Sequence, residues 1–172
     1  LAPNPNENFV DATIGEGGHS ASILEKNKPN GKVLGIEIDA EQIENLKTLN
    51  LEIKNNKNRL ILVNDSYANL KKIIEERHFG LIDGILLDLG MSTWHIEGSE
   101  RGFTFKKDEP LDMRYFSAGP LTAGEIINKW PEKIIVSILK EYGEERFAKR
   151  IAAKIIEQRK NKPIKTTFQL AD

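Results

Sequence analysis

The sequence of 172 residues has no cysteine, so disulfides and thiolate metal sites are excluded, and a reducing, cytoplasmic compartment is the expected setting. Histidine is nearly as scarce. His19, His78 and His95 show no metal-ligand spacing, and no metal site is expected. Long apolar runs are missing as well, which rules out a membrane-spanning helix. The opening "LAPNPNENF" has neither the basic nor the apolar region of a secretory signal. Charge of one sign is also lacking: 25 Lys+Arg face 26 Asp+Glu, so any nucleic-acid surface has to be local. The chain starts at Leu and stops at "TTFQLAD", which reads as the beginning of a helix, so a fragment is expected.

What is present is a regular alternation of strand and helix. "NFVDA", "KVLGIEI", "RLILVND" and "IDGILLDL" are short runs, apolar on both faces and bounded by Gly, Asn or Asp, as strands of a covered parallel sheet should be. Helical patterns lie between them. "SASILEKNK" is predicted to stop at Asn30-Gly31. "AEQIENLKTLNLEI" starts after Asp39, with Gln42 completing a capping-box pattern, and "NLKKIIEERHF" precedes the fourth strand. This pitch predicts a doubly wound α/β sheet over residues 1–120. Residues 90 to 121 read as a long irregular segment, of the kind usually tied to function. Residues 121–172 read as all-helical. Thr122 with Glu125 forms a capping box, Pro131 suits a first turn, Phe147, Ile151 and Ile155 mark an apolar stripe, and Thr166 with Gln169 marks another start.

"VDATIGEGGHS" carries the chemistry. A glycine-rich turn from strand to helix exposes backbone N–H groups beside a helix N-terminus, which suits carboxylate-bearing or anionic ligands. A dinucleotide fingerprint wants a third glycine where this chain has Ser20. Asp11-x-x-x-Gly15-x-Gly17 instead resembles the first motif of Rossmann-like methyltransferases. Glu37 follows Gly17 by 20 residues, the spacing at which a carboxylate accepts from both hydroxyls of a ribose, whichever cofactor carries it. Tyr67, after the third strand, stands where an aromatic could stack on adenine, although taken alone it reads as a packing residue before a cofactor contact. Asp88, after "IDGILL", is costly to bury unless paired, and it falls where chemistry occurs in this fold.

Together, "VDATIGEGGHS", "DGILLDLGMS", "ERGFTFKKDEPLDMR" and "YGEERFAKRIA" resemble the MraW/RsmH family. The resemblance runs from about Phe9 to the last residue. It implies a Rossmann-like methyltransferase sheet, incomplete here, with an inserted all-helical domain. It also implies an S-adenosylmethionine-dependent enzyme acting on the N4 amine of a cytidine in small-subunit (16S) ribosomal RNA. The substrate is then that RNA or the small-subunit particle, and a homodimer stays open. Cofactor contacts carry over to Gly17, Gly18, His19, Glu37, Tyr67, Asp88 and His95. Three positions depart from the family's usual letters: Glu37-Ile38-Asp39, Tyr67 for a usual Phe, and Thr93-Trp94-His95 for a Ser-Pro-Gln type sequence.

Asp88 is then either the acceptor of the amine's proton or an orienting group for the cofactor. Arg101, Phe103, Phe105, Lys106, Lys107 and Arg114 mix cations with flat rings, as where single-stranded bases stack and phosphates are neutralised, with Arg101 and Arg114 the substrate-binding candidates. Residues 140 to 165 hold nine Lys/Arg against four Asp/Glu, which suits phosphate contact. An NAD-dependent oxidoreductase and a non-catalytic cofactor- or RNA-binding module are the competing classes.

Overall fold

The computed structural model describes residues 1–49, 55–56 and 58–172. Each of the four apolar runs forms a strand: β1 (Phe9–Asp11), β2 (Val33–Glu37), β3 (Leu60–Asn64) and β4 (Gly84–Leu86). All pair in parallel, in the order β3-β2-β1-β4. Asp11 lies in register with Gly35 on one side and Leu86 on the other.

For β1, β2 and β3, packing on both faces explains the continuous apolar runs. Phe9, Val33 and Leu60 pack with Ile14, Ile23, Leu24 and Leu46 in one cluster, whereas Val10, Leu34, Ile36 and Val63 pack with Ile73 and Phe79 in another. The first cluster takes in α1 (Gly18–Lys26) and α2 (Ala40–Leu49), and the second takes in α3 (Leu70–Glu76). Successive strand residues point to opposite faces, so a sheet covered on both sides needs apolar residues at every position. Among the described residues only β1 pairs with β4, and Ile85 on β4 stays largely exposed.

Two helix boundaries differ from the sequence-based expectation. The first helix ends at Lys26 with Asn27 as its cap, ahead of Asn30-Gly31. The cause is long-range. The buried Asn27 amide donates to Glu7 O at 2.8 Å, and the Arg59 guanidinium donates to Asn27 Oδ1 and Leu24 O, taking up the helix's last acceptors. At α2, Asp39 Oδ1 does accept from the Glu41 N–H at 3.0 Å, but no capping box forms. The Gln42 amide donates instead to Ser92 Oγ at 3.1 Å. The end of the predicted "AEQIENLKTLNLEI" helix, 50–53, lies outside the described residues.

The chain divides into two compact units, Leu1–Ser92 and Thr93–Asp172. The second contains α4 (Thr93–Glu97), α5 (Ala123–Lys129), α6 (Glu132–Glu141), α7 (Ala148–Asn161) and α8 (Thr167–Ala171). The Thr122–Glu125 capping box is formed in full, and α8 begins directly after Thr166. Leu111, Ile135, Ala152, Ile155 and Ile164 make the core of this unit. The segment 90–121, expected to be irregular, holds α4, and its later part is tied into this unit. Pro110 bridges Thr166 antiparallel, and Leu111 N donates to Lys165 O at 3.0 Å.

The expected Phe147–Ile151–Ile155 stripe is not the packed face of α7. Ala148, Ala152 and Ile155 are buried, whereas Phe147 is exposed with the Arg150 guanidinium over its ring. Small alanines let α7 approach α6 closely, a signal that a search for large apolar side chains overlooks.

Candidate active site

The strand order reverses at β1: the chain builds outward through β2 and β3, then returns to place β4 on the other side. In open α/β sheets the crevice beyond the carboxyl ends of strands at such a switch point is where ligands bind. Here those ends belong to β1 and β4.

β1 delivers the glycine turn. Gly15 and Gly17 have φ of 52° and 85°, in the left-handed region that side chains resist. Gly17 is the N-cap of α1, contributes no side-chain cap, and is followed by no acidic residue in the first turn. The first amides of α1 therefore keep their donors for an outside acceptor, with the positive end of the helix dipole behind them. A Cβ placed on Gly18 would meet no atom within 4 Å. Space and donors coincide, so this end of α1 fits a ligand carboxylate such as that of the methionine portion of S-adenosylmethionine.

Two carboxylates brace the turn. Asp11, fully buried at the end of β1, accepts from Ser20 Oγ at 2.7 Å and from the Thr13 N–H at 3.3 Å. Burial pushes its carboxyl above the ordinary range, against these donors. Ser20 thus puts a bonded hydroxyl where the dinucleotide fingerprint has a packing glycine. Glu37, at the end of β2, accepts from the Gly15 N–H at 3.2 Å and the Asp39 N–H at 3.0 Å, one on each oxygen. A carboxylate has about four acceptor sites, so lone pairs remain for two ribose hydroxyls. Burial raises the Glu37 carboxyl too, opposed by those two backbone donors.

Tyr67 opens a short 3-10 turn (Tyr67–Asn69) just past β3, with Ser66 Oγ capping it, and its ring is half exposed. An exposed ring beyond a strand's carboxyl end suits adenine stacking better than core packing.

β4 ends at Leu86, two residues before Asp88, and the Asp88 side chain is 66% exposed. The expected burial cost is therefore absent. Its carboxylate faces His19 on α1, with Nε2 to Oδ2 at 3.3 Å, while its own N–H donates to Thr13 Oγ1 at 2.7 Å. Asp88 is marked out by position and by these two contacts.

Gly17, Gly18, His19, Glu37, Tyr67 and Asp88 all lie in the first unit, at the carboxyl ends of its strands or the start of α1. His95 lies in the second unit, buried and ringed by Trp94, Phe103 and Tyr115 with centroids 4.5–5.3 Å away. Phe103 is part of that aromatic cluster, whereas Phe105 projects outward. Arg114 grips Asp112 through Nε at 2.8 Å and Nη2 at 2.6 Å, and its Nη1 donates to Gly119 O at 2.5 Å. That clamp holds the Asp112 carboxyl below its usual range and gives Arg114 a loop-organising job. The Arg101 guanidinium sits 5.4 Å from the Trp94 ring centre and donates to Arg114 O at 3.2 Å. Among the described residues no group of His, Asp and Glu is arranged to hold a metal ion, and no helix is long and apolar enough to cross a membrane.

Two contacts lie beyond the expectations drawn from the sequence, Ser20–Asp11 and Thr13–Asp88. The serine in place of glycine was a usable signal for the first. A lone threonine gave none for the second.

Known proteins are similar to this chain along its whole length. Ribosomal RNA small subunit methyltransferase H of Kosmotoga olearia is 42% identical over 173 residues, covering 100% of this chain and 56% of that protein. Its namesakes in Caldicellulosiruptor saccharolyticus and Syntrophotalea carbinolica are 42% and 39% identical, again over 100% of this chain, and are covered to 55% and 54%. The chain spans about half the length of the curated relatives it matches. The model of the MraW methylase family matches residues 1–172. From its first residue to its last, the chain belongs to the MraW methylase family.

Proposed function

We propose that this chain carries the cofactor site and proton acceptor of an S-adenosylmethionine-dependent methyltransferase acting on the N4 amine of a cytidine in small-subunit ribosomal RNA. The observation that carries the reading is the switch-point crevice, where an uncapped glycine-rich helix start, a braced Glu37 and the accessible Asp88 converge on one strand-end surface. The relatives' names supply the RNA class.

When bound, the cofactor supplies a methyl group already activated by sulfonium charge. The rest falls to the protein. The first amides of α1, by Gly17 and Gly18, hold the methionine carboxylate. Glu37 takes the ribose hydroxyls, and Tyr67 covers the adenine. Asp88 would accept a hydrogen bond from the cytosine amine, which localises a lone pair otherwise delocalised into the ring, and would take the proton that the amine loses as the methyl passes from sulfur to nitrogen and the neutral thioether is released. Orienting the amine toward the bound cofactor would be the larger contribution, a proximity effect worth up to about 7–11 kcal/mol.

RNA falls to the second unit. Residues 93–172 carry 15 Lys/Arg against 12 Asp/Glu, a net +3, while residues 1–92 carry 10 against 14, a net −4. Arg101 supports the RNA-facing loop together with the clamped Arg114, and Phe147 with Arg150 offers a ring and a guanidinium to stacked bases.

The test is methyl transfer by the full-length protein to small-subunit particles and to naked small-subunit RNA, with nucleoside analysis of the product. N4-methylcytidine is expected, and Asp88→Asn should lower the rate at saturating cofactor by roughly 10²–10⁴-fold with little change in cofactor affinity. Methylation at another atom, or an undiminished Asp88→Asn rate, refutes the assignment.

A further inference from the structure

We propose that Thr13 is the positioning residue of the site: its hydroxyl takes the Asp88 backbone N–H and so fixes where the Asp88 carboxylate stands. This rests on the reading that Asp88 receives the amine's proton.

The reason lies in how β1 and β4 part. Their last backbone bond runs from Ala12 N to Leu86 O at 2.9 Å. In a regular parallel ladder the next donor on the β4 side would be the Asp88 N–H, aimed at Ala12 O. The first strand has already turned away by then, since Ile14 N donates to Ile36 O at 3.1 Å on the opposite side. The Thr13 side chain reaches back across the gap and accepts from Asp88 N at 2.7 Å. One hydroxyl thus extends the β1–β4 pairing by a step beyond both strands.

Asp88 needs such an anchor. It sits past the end of its strand, two residues before Gly90, whose N–H closes a tight turn on Asp88 O at 3.0 Å, and its side chain is largely exposed. An exposed carboxylate on irregular backbone has many rotamers and a movable Cα. Thr13, by contrast, is well supported. Its N–H donates to the buried Asp11 carboxylate, which Ser20 holds at 2.7 Å from α1. His19, the residue before Ser20, meets the far side of Asp88 at 3.3 Å. Backbone and carboxylate of Asp88 are therefore each held by a neighbour of the Asp11–Ser20 brace. A displacement of about 1 Å in a reacting group costs on the order of 10²-fold in rate, so the hydroxyl has a kinetic consequence without touching substrate.

Thr13→Val keeps the shape and removes the acceptor, and Thr13→Ser keeps the acceptor. On the full-length protein, three readouts separate the roles: S-adenosylmethionine affinity by calorimetry, single-turnover methyl transfer at saturating cofactor and RNA, and hydrogen exchange of the peptide spanning residues 86–90 without cofactor. Thr13→Val is expected to slow transfer by about 10–100-fold, leave affinity within about twofold, and speed exchange of that peptide. Thr13→Ser should stay near the parent in all three. Parent-like transfer in Thr13→Val beside a slow Asp88→Asn would overturn the positioning role and leave the proposed function intact. If Asp88→Asn also transfers at the parent's rate, the proposed function fails first. Loss of affinity and thermal stability together in Thr13→Val, or a Thr13→Ser protein as slow as Thr13→Val, shows a fold requirement and overturns the inference.

Discussion

Adding one methyl group at Gly18 separates ligand approach from folding. At Gly17 the two cannot be separated, because its φ of 85° makes any L-residue strained by roughly 1–2 kcal/mol before a ligand is considered. Gly18 is the first residue of α1 and has no atom within 4 Å of where a Cβ would stand. Gly18→Ala should therefore stabilise the cofactor-free protein by about 0.4–1 kcal/mol through a less flexible unfolded chain. That corresponds to a rise in Tm of about 1–3 °C. If the methionine carboxylate lies against this backbone, the same methyl group intrudes on it, and affinity should fall by at least about tenfold, or about 1.4 kcal/mol. Calorimetric titration with S-adenosylmethionine and a thermal melt on the same preparation give both numbers. A higher Tm with weaker binding is the expected pair. Gly18→Ala binding as tightly as the parent would place the ligand elsewhere, and a lower Tm would mean the space around Gly18 is filled.

Ser20→Ala leaves a buried Asp11 oxygen without its donor and should cost about 1–3 kcal/mol in urea unfolding. Glu37→Ala should weaken S-adenosylmethionine and its demethylated product alike, by roughly 1–3 kcal/mol in titration calorimetry, and equal affinities would remove Glu37 from the site. Because burial raises the Glu37 carboxyl, there is a window between the unfolded and folded values in which the folded state holds a proton that the unfolded state has released. The group's contribution to stability is thus complete below the unfolded value of about 4.3 and is lost as pH rises through the raised one. Parent stability relative to Glu37→Gln should fall with pH across that window, while cofactor affinity should rise as the carboxylate ionises. Matching slopes would refute the assignment. Arg114→Lys should lower Tm and loosen residues 110–119 in hydrogen exchange, since an ammonium cannot reproduce the forked grip on Asp112.

The strands and the glycine turn were legible in the sequence because their signals are local. Within "KVLGIEI", Val33 to Ile36 is an unbroken uncharged run because both sheet faces are covered there, and the Gly15 and Gly17 positions need backbone angles that side chains resist. Glu37 was legible for the same reason: a strand end and a fixed spacing place it. Features settled by distant partners were hidden. Asn27 ends α1 because Glu7 and Arg59 take its side chain, and Gln42 leaves its capping pattern for a serine fifty residues away. The burial expected of Asp88 does not hold: its side chain is exposed, and its contacts run to Thr13 and His19, which no local signal announces. The α7 stripe was misassigned because alanine, which carries the packing there, gives little hydrophobic signal.

The twin carboxylate braces on the glycine turn, Asp11 toward Ser20 and Glu37 toward Gly15, have a kinetic meaning. They hold the loop in its binding shape before a ligand arrives, so the ordering entropy of that backbone is spent during folding and not during the encounter. Association should then proceed in a single step with a rate proportional to ligand concentration and no plateau from a slow conformational gate. A lag or plateau in that association would instead show that the glycine turn rearranges after the first contact.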